Sequence, residues 1–557
     1  MDATKQIMTG INSGTLPPLL TPPWKGGELE PGAKGLQRGT NRREFLTSLA
    51  GGAAGLSLVP ATHGASSRGK KMDEPFDKHR QRRVIFNDDS DQQYPGYDGY
   101  PYDVKDDQSF LDARTTHTFD THVDTYVWCV GNGCEPPWAG QSKVWPALGT
   151  NARATDLIVQ ACHDKGIEVW GSLRMNDIHD ASAASLADTA DPLKAKHPEY
   201  LIASAADRKL PSEVIEKRLW TAFNYARPEV RRYRLDYVQK TAARHNFDGF
   251  ELDFTRMPWC FPLGEGRTHA NEMTQLIRQI RTALNRIAER RRRPYTLVVH
   301  VFDSPQVSLD LGLDTAAWLK QELVDVLVVG TGYTPYNARV DEWLALARPF
   351  GVPVYPSVNT NTFIDWSREW GRTLYHEAVA ASSAYYGQTG VDGCYLFNLF
   401  CLEDKSLGGL PASYVYAPLK VVGDPKVLAE KDKLYCIQPS VGYYVHALSP
   451  APLPIAIDQE ERKLPLQIGP DGDHPKAHFH LRARLSRQAD DLRIWMRLNQ
   501  KLLPEVTRND HWCEADLPRA LLRAGENELS IWSNVPLSQT DRPIILHQVY
   551  VMATYES

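Results

Sequence analysis

"NFDGFELDFTRMP" (residues 246–258) sets three carboxylates, Asp248, Glu251 and Asp253, among Phe247, Phe250, Leu252 and Phe254. Side chains alternate along a strand, so Phe250, Leu252 and Phe254 share one face and Glu251 and Asp253 the other. Two carboxylates on one face of an otherwise apolar strand fit a barrel. Its outer face lies under helices, and its inner face opens at the carboxyl end into a polar mouth. Asp253, last in the run, then reaches the mouth, and Glu251 lies about 6–7 Å deeper at ~3.3 Å per residue. A deeper carboxylate needs a cation or hydrogen-bond donors, and Arg174 near the end of the preceding strand is the natural partner. Asp248 and Gly249 fall at the opposite end, where residues serve stability.

Seven more β-rich runs surround this one: 82–87, 122–129, 167–173, 295–302, 324–330, 352–358 and 391–398. Helical patterns separate most of them. Residues 153–166 carry apolar side chains at helical spacing and stop at Gly166; 228–245 begin with Pro228; 270–293 are strongly amphipathic. "DTAAWLKQEL", "DEWLALARPFG" and "TLYHEAVAASSAYYGQTG" precede the last three strands. Eight strand–helix repeats predict an α/β fold, a (β/α)8 TIM barrel over residues 80–425. The third connection, 174–227, is long enough for an extra excursion. After about residue 425, runs such as "KAHFHLRARL" and "GENELSIWSN" alternate apolar and polar residues, which predicts a C-terminal all-β sandwich over 426–557. "LRAGENELSIW" has the look of a strand edge in galactose-binding-like sandwiches. His478 and His480 share a strand face and, without a third ligand, read as surface residues.

The first 70 residues read as a disordered lead and an export signal. Arg42 and Arg43 precede Phe45 and Leu46, and an Ala/Gly-rich apolar stretch runs to about Val59. This order predicts a twin-arginine signal peptide and a periplasmic or extracellular destination. The stretch is too short for a stable membrane span, and no other segment is apolar enough. An exported chain offers its eight cysteines, Cys129 and Cys134 among them, the chance to form disulfides.

The 557 residues are 42% hydrophobic and 24% charged with net charge -5, an ordinary globular balance that lacks the basic footprint of a nucleic-acid binder. The 14 Trp and 24 Tyr suit stacking on sugars and large cores alike. There is no Walker loop, GxGxxG turn, GxSxG elbow or HxH on the first strand, so neither a cofactor nor a metal is expected. The sequence sets no oligomeric state.

"FDGFELDFTRMP", "SLRMNDIHD" (172–180), "NYARPEVRRYRLDYV" (224–238) and "GLDTAAWLKQELVDVLVVG" (312–330) together resemble the glycosyl-hydrolase-like, "family 10-like" barrels secreted by bacteria. "RRVIFNDDSDQ" (82–92) and "GVDGCYLFNLF" (390–400) fit the same resemblance, which spans residues 82–400 in order. It implies a (β/α)8 barrel acting on carbohydrate, or descended from enzymes that do. Against the chitinase pattern DGxDxDxE, Thr255 stands where the acid Glu belongs. Against the amylase-type "GFRxD", Asp253 falls on the nucleophile and Glu251 replaces the Arg.

A glycosidase sets two carboxyl groups across the scissile bond. Asp253 is the first, as nucleophile or base. Asp303, after strand five, is the first choice for its partner, with Asp177 and Glu403 as rivals. Glu251 is cast as an orienter of Asp253. Asn87, Asp88, Trp128, Arg174, Asn176, Asp177, His179, Arg256, His300, Tyr333, Asn359 and Asn398 fall at carboxyl ends of strands and are expected to line a polar, sugar-binding mouth. The expected activity is hydrolysis of a poly- or oligosaccharide. A carbohydrate-binding protein on a degenerate barrel competes with it, as does an envelope scaffold using the sandwich for adhesion.

Overall fold

The computed structural model describes residues 80–90, 104–131, 146–189, 191–211, 214–359, 374–399, 411–440, 448–486, 492–536 and 543–555. The lead and export signal at 1–70, Cys134 and Glu403 lie outside them. Eight parallel strands close in sequence order: β1 (Val84–Asp88), β2 (Val123–Cys129), β3 (Glu168–Arg174), β4 (Gly249–Asp253), β5 (Thr296–Val301), β6 (Val326–Gly332), β7 (Val354–Asn359) and β8 (Cys394–Phe397). Helices cross between them: α1 (Asp107–Arg114), α2 (Asn151–Asp164), α3 (Pro228–Arg244), α4 (Ala270–Arg291), α5 (Thr315–Lys320), α6 (Val340–Ala347) and α7 (Tyr375–Gly387). The long third connection holds short helical turns, among them Pro192–Lys196 and Glu216–Leu219.

Local chemistry explains the helix limits. Asp106 and Ser109 form a reciprocal capping box at the start of α1. Pro228 opens α3, where its missing N–H costs nothing. Helix α4 buries Met273, Ile277, Ile280, Leu284 and Ile287 at three- and four-residue spacing.

Phe250, Leu252 and Phe254 enter the core between strands and helices. The barrel interior holds Ile85, Val127, Trp170, Val298, Val326, Val328, Tyr355, Tyr395 and Phe397. Gly249 makes room for this filling, since a Cβ there would lie 2.6 Å from the Trp170 ring and 2.9 Å from the Thr296 carbonyl. The amino-terminal floor is ionic. Arg82 bonds both oxygens of Glu168 (2.7 and 2.9 Å), and Thr125 Oγ1 donates to the same carboxylate at 2.8 Å. The Arg82 guanidinium lies over Trp170. Asp248 serves the same end, accepting from Val169 N and Arg293 Nη1 and pairing with His163.

A β-sandwich follows the barrel. Its strands are β9 (Lys433–Ile437), β10 (Ile455–Ile457), β11 (Arg462–Ile468), β12 (Ala477–Leu485), β13 (Ile494–Leu498), β14 (Lys501–Leu502), β15 (Thr507–Asn509), β16 (Trp512–Leu517), β17 (Gly525–Ser533) and β18 (Ile544–Tyr555). One sheet runs β10-β18-β12-β16-β15 with β9 also on β18; the other runs β11-β17-β13-β14. Ala381 of α7 enters the sandwich core, while Leu434, Cys436 and Tyr550 enter the barrel's helix core, so the two parts share apolar packing. His478 and His480 do share the outer face of β12, and His480 bonds Asp516 at 2.8 Å. Among the described residues, no group of three or more His, Cys, Asp or Glu is placed to hold a metal, and no helix is long and apolar enough to cross a membrane. Cys129, Cys162, Cys260, Cys394, Cys436 and Cys513 are buried free thiols, so the six described cysteines form no disulfide.

Candidate functional site

Strands β3, β4 and β5 bring Arg174, Asp253 and His300 side by side, in that order, at one level of the barrel. Asp253 is 4% exposed. Its Oδ1 accepts from the N–H and the hydroxyl of Thr255, both at 2.8 Å, which fixes the carboxylate plane. Its Oδ2 lies 3.9 Å from Arg256 Nε, and Oδ1 lies 3.7 Å from His300 Nδ1.

Glu251 sits one interior layer deeper and is fully buried. The cation expected for it does not come from Arg174. Tyr395 of β8 donates its hydroxyl to Glu251 Oε2 at 3.1 Å instead. Burial, then the nearby Asp253 charge, raise its pKa to about 8 against the help of Ser172 and Tyr395. Folding therefore favours the protonated form of Glu251.

Arg174 goes to Asp89 (2.6 Å) and Asp177 (2.8 Å). Arg256 also bonds Asp89, and reaches Tyr333 OH at 2.5 Å and Asn398 Oδ1 at 3.2 Å. Its guanidinium lies 4.4 Å from the centre of the Phe397 ring. Burial works against the Asp89 charge, but the two arginines outweigh it and hold the carboxyl at about 2. Asp177 is likewise kept well below the usual range against its burial, by His179 and Arg174, and accepts from both His179 N and Nδ1.

The structure thus gathers Arg174, Asp177, His179, Arg256, Tyr333 and Asn398 into one linked network beside Asp253 and His300. Asn87 is on the interior face of β1 and accepts from Asn398 N at 3.5 Å. Asn359 ends β7 in register with Phe397.

Three residues expected at the mouth are committed elsewhere. Asp88 and Trp128 stand in register on β1 and β2 and both point outward, because the interior positions are Asn87 and Val127. Asp88 takes Arg114 and Tyr126; Trp128 donates to Thr155 at 3.1 Å. Asn176 spends its amide tying loops, bonding Phe223 N, Phe223 O and Trp259 O.

Asp303 is buried with both oxygens engaged. Oδ1 accepts from Thr331 N at 3.1 Å, and Oδ2 accepts from Ser449 on the segment leading to the sandwich. Burial raises its pKa.

Two central residues were not singled out from sequence. Asp89 carried a signal, the doubled acid of "FNDDSD" in which only one Asp can follow Asn87 toward the mouth. Tyr395 carried the period-two pattern of "CYLFN", whose inward positions are Tyr395 and Phe397.

The mouth therefore holds carboxyls pushed in opposite directions, Asp89 and Asp177 down and Glu251 up, around one carboxyl fixed by Thr255. Such separation is the raw material of acid–base chemistry.

No protein-family model matches the chain. No curated protein matches it either. Among solved structures it is similar to the α-amylase from Geobacillus thermoleovorans complexed with acarbose, with TM-score 0.39 and 12% identity over 81% of this chain and 98% of that one. It is also similar to α-L-fucosidase isoenzyme 2 from Paenibacillus thiaminolyticus (TM-score 0.37, 14% identity, 68% of this chain and 52% of that one). A third is the cyclic α-maltosyl-(1→6)-maltose hydrolase from Arthrobacter globiformis in complex with maltose (TM-score 0.37, 14% identity, 73% and 93%). All three neighbours are glycoside hydrolases.

Proposed function

We propose that the barrel mouth is the active site of a glycoside hydrolase acting on a poly- or oligosaccharide, with Asp253 as nucleophile or base. One observation carries this reading. Asp253 ends β4 with Oδ1 fixed by two Thr255 donors, while Glu251 below it on the same face has its pKa pushed up. Position at a strand's carboxyl end, a locked rotamer and a neighbouring carboxyl whose pKa is pushed up suit a catalytic carboxylate. Glu251 acts as its orienter from the interior layer below, without contact with sugar. Arg256, Tyr333, His179 and Asn398 offer donors and an aromatic face to hydroxyl groups. The second carboxyl comes from a neighbouring loop, with Asp303 as the first choice.

A second reading, sugar binding without turnover, is favoured by the state of the other acids. Asp89 and Asp177 are held ionised by arginines, and Asp303 has both oxygens engaged. An ionised or engaged carboxyl is a poor proton donor.

The purified protein is to be incubated with plant, algal and bacterial glycans and assayed for released reducing ends. Turnover by wild type, with binding but no turnover by Asp253→Asn, supports the hydrolase. Binding without turnover by wild type supports the second reading. Export by the twin-arginine route belongs to the same proposal. Replacing Arg42 and Arg43 by Lys is expected to retain the protein in the cytoplasm, as read by cell fractionation.

A further inference from the structure

The run "GTGYTPYNAR" (330–339) carries the chain out of β6 at the mouth of the barrel. Gly330 and Gly332 have φ of +94° and +78°, a region that favours glycine. The pairing of β6 with β7 shifts register between Val329 and Gly332. Such an irregularity re-aims a side chain, and Tyr333 is the residue that follows. Its ring meets Phe397 edge-on at 5.6 Å, and its hydroxyl takes Arg256 Nη1 at 2.5 Å. Tyr333 is thus where this loop enters the mouth.

The rest of the loop is pinned from elsewhere. Asp303 accepts from Thr331 N at 3.1 Å through Oδ1 and from Arg339 N at 2.7 Å through its carbonyl, which ties both ends. Tyr386 of α7 donates to the Pro335 carbonyl. The tip is held by the stretch between β9 and β10 of the sandwich. Gln438 Oε1 accepts from Tyr336 N at 3.1 Å. Ser449 accepts from Asn337 Nδ2, at 2.9 Å through Oγ and 3.3 Å through its carbonyl, and donates to Asp303 Oδ2. Gln438 and Ser449 are both buried. Gln438 is itself fixed, since it follows β9, which pairs with β18, and its Nε2 donates to the Pro439 carbonyl at 3.0 Å. Successive residues of the loop, Tyr336 and Asn337, therefore both bond the sandwich. Buried polar groups are costly to leave unpaired, so these bonds favour one position of the loop.

We infer that the sandwich is part of the construction of the mouth: Gln438 and Ser449 are positioning residues that hold the loop where Tyr333 meets Arg256. Arg256 in turn bonds Asp89 and Asn398 and lies 3.9 Å from Asp253. The ties form a contiguous path of contacts from sandwich to mouth. Their bearing on turnover rests on the hydrolase reading; the placement of Tyr333 belongs to the folded protein and is measured without glycan.

The test uses the full chain carrying 3-fluorotyrosine at position 333, read by 19F NMR. Ser449→Ala and Gln438→Met are expected to move or broaden the signal, and Ser449→Thr, which keeps the hydroxyl, to return it toward wild type. Asn527→Ala is the control for general destabilisation. It breaks bonds to the Arg523 and Gly525 carbonyls within the sandwich alone and is expected to leave the signal in place. A signal unmoved by both Ser449→Ala and Gln438→Met, or moved as far by Asn527→Ala, overturns the inference. Should neither buried variant fold, half-buried Asn337→Ala, which removes the loop's side of the Ser449 tie, decides in their place. In turnover, Ser449→Ala and Gln438→Met are each expected to raise KM about 5-fold with kcat little changed, the effect of one hydrogen bond passed on to a binding group. In a Tyr333→Ala background the same changes are expected to alter KM less than about 2-fold, because the path has lost its last link. Full additivity with Tyr333→Ala overturns the positioning role. A wild type that cleaves no glycan, with the fluorine signal moving as expected, removes the hydrolase reading and leaves the sandwich's hold on Tyr333 standing.

Discussion

Arg174 and Asp253 stand in register on adjacent strands, yet the Arg174 guanidinium spans Asp89 and Asp177 at 2.6 and 2.8 Å. The positive charges of the mouth are thus largely satisfied before any ligand arrives, and the site presents fixed, neutralised pairs rather than an anion trap. Asp89 is the hinge of this network, since it also takes Arg256.

Asp89→Asn therefore leaves two buried guanidiniums short of an anion. Breaking a buried pair by removing one partner costs about 3–5 kcal/mol, and the denaturation midpoint is expected to fall accordingly. The pH dependence has a definite sign. The folded pKa of Asp89, about 2, lies below its ordinary 3.8. Its stabilisation is present above 3.8 and is lost as pH falls toward 2. The variant is expected to lack that part of the acid-unfolding slope, as followed by circular dichroism.

Asp253→Asn keeps an oxygen for the Thr255 donors and removes the charge. It is expected to lower kcat by about 10³-fold or more while glycan binding persists. Thr255→Val removes one of the two donors to Oδ1 and is expected to cost less, roughly 10-fold, by loosening the carboxylate. Steady-state kinetics on one responsive glycan, with calorimetric binding, checks both.

Glu251 gives the opposite pH signature from Asp89. Its folded pKa is raised from 4.5 to about 8, so folding favours the protonated form. The associated stability is complete below 4.5 and is lost as pH rises through the folded value. Glu251→Gln escapes this loss. Relative to wild type it is expected to gain stability between pH 4.5 and 8, by at most roughly 1.4 kcal/mol per pH unit, and to level off above. Thermal melts at pH 5, 7 and 9 read it directly.

Ser449→Ala tests the tie between barrel and sandwich. The Ser449 hydroxyl is a donor to Asp303 Oδ2, and Asn337 Nδ2 bonds Ser449 Oγ at 2.9 Å. Removing it leaves a buried carboxyl oxygen without that donor, at a cost of about 1–3 kcal/mol. A lower melting temperature is expected, with the Asp303 pKa pushed further up.

The barrel was legible because two periods, alternation in strands and 3.6 in helices, repeat eight times and agree with each other. Phe250, Leu252 and Phe254 against Glu251 and Asp253 was the clearest instance, and their faces are as the alternation requires. The mouth was less legible because position after a strand does not fix direction. Asp88 and Asp89 differ by one residue, and that step carries one to Arg114 outside and the other to Arg174 within. Trp128 misled for the same reason, as stacking chemistry is irrelevant to a side chain on the helix side. The Asp303–Ser449 contact joins residues 146 positions apart, beyond the reach of any local pattern. In the sandwich, strand β18 went unremarked although β9, β10 and β12 all pair with it. Its run "IILHQVYVMATY" is apolar on both faces in places, as befits a strand covered on both sides, and so shows little alternation.

The Arg82–Glu168 pair, capped by Thr125 and roofed by Trp170, seals the barrel axis from below. Traffic through the cylinder is thereby ruled out. On the hydrolase reading, a sugar reaches Asp253 from the side opposite this plug, past the carboxyl ends of the strands.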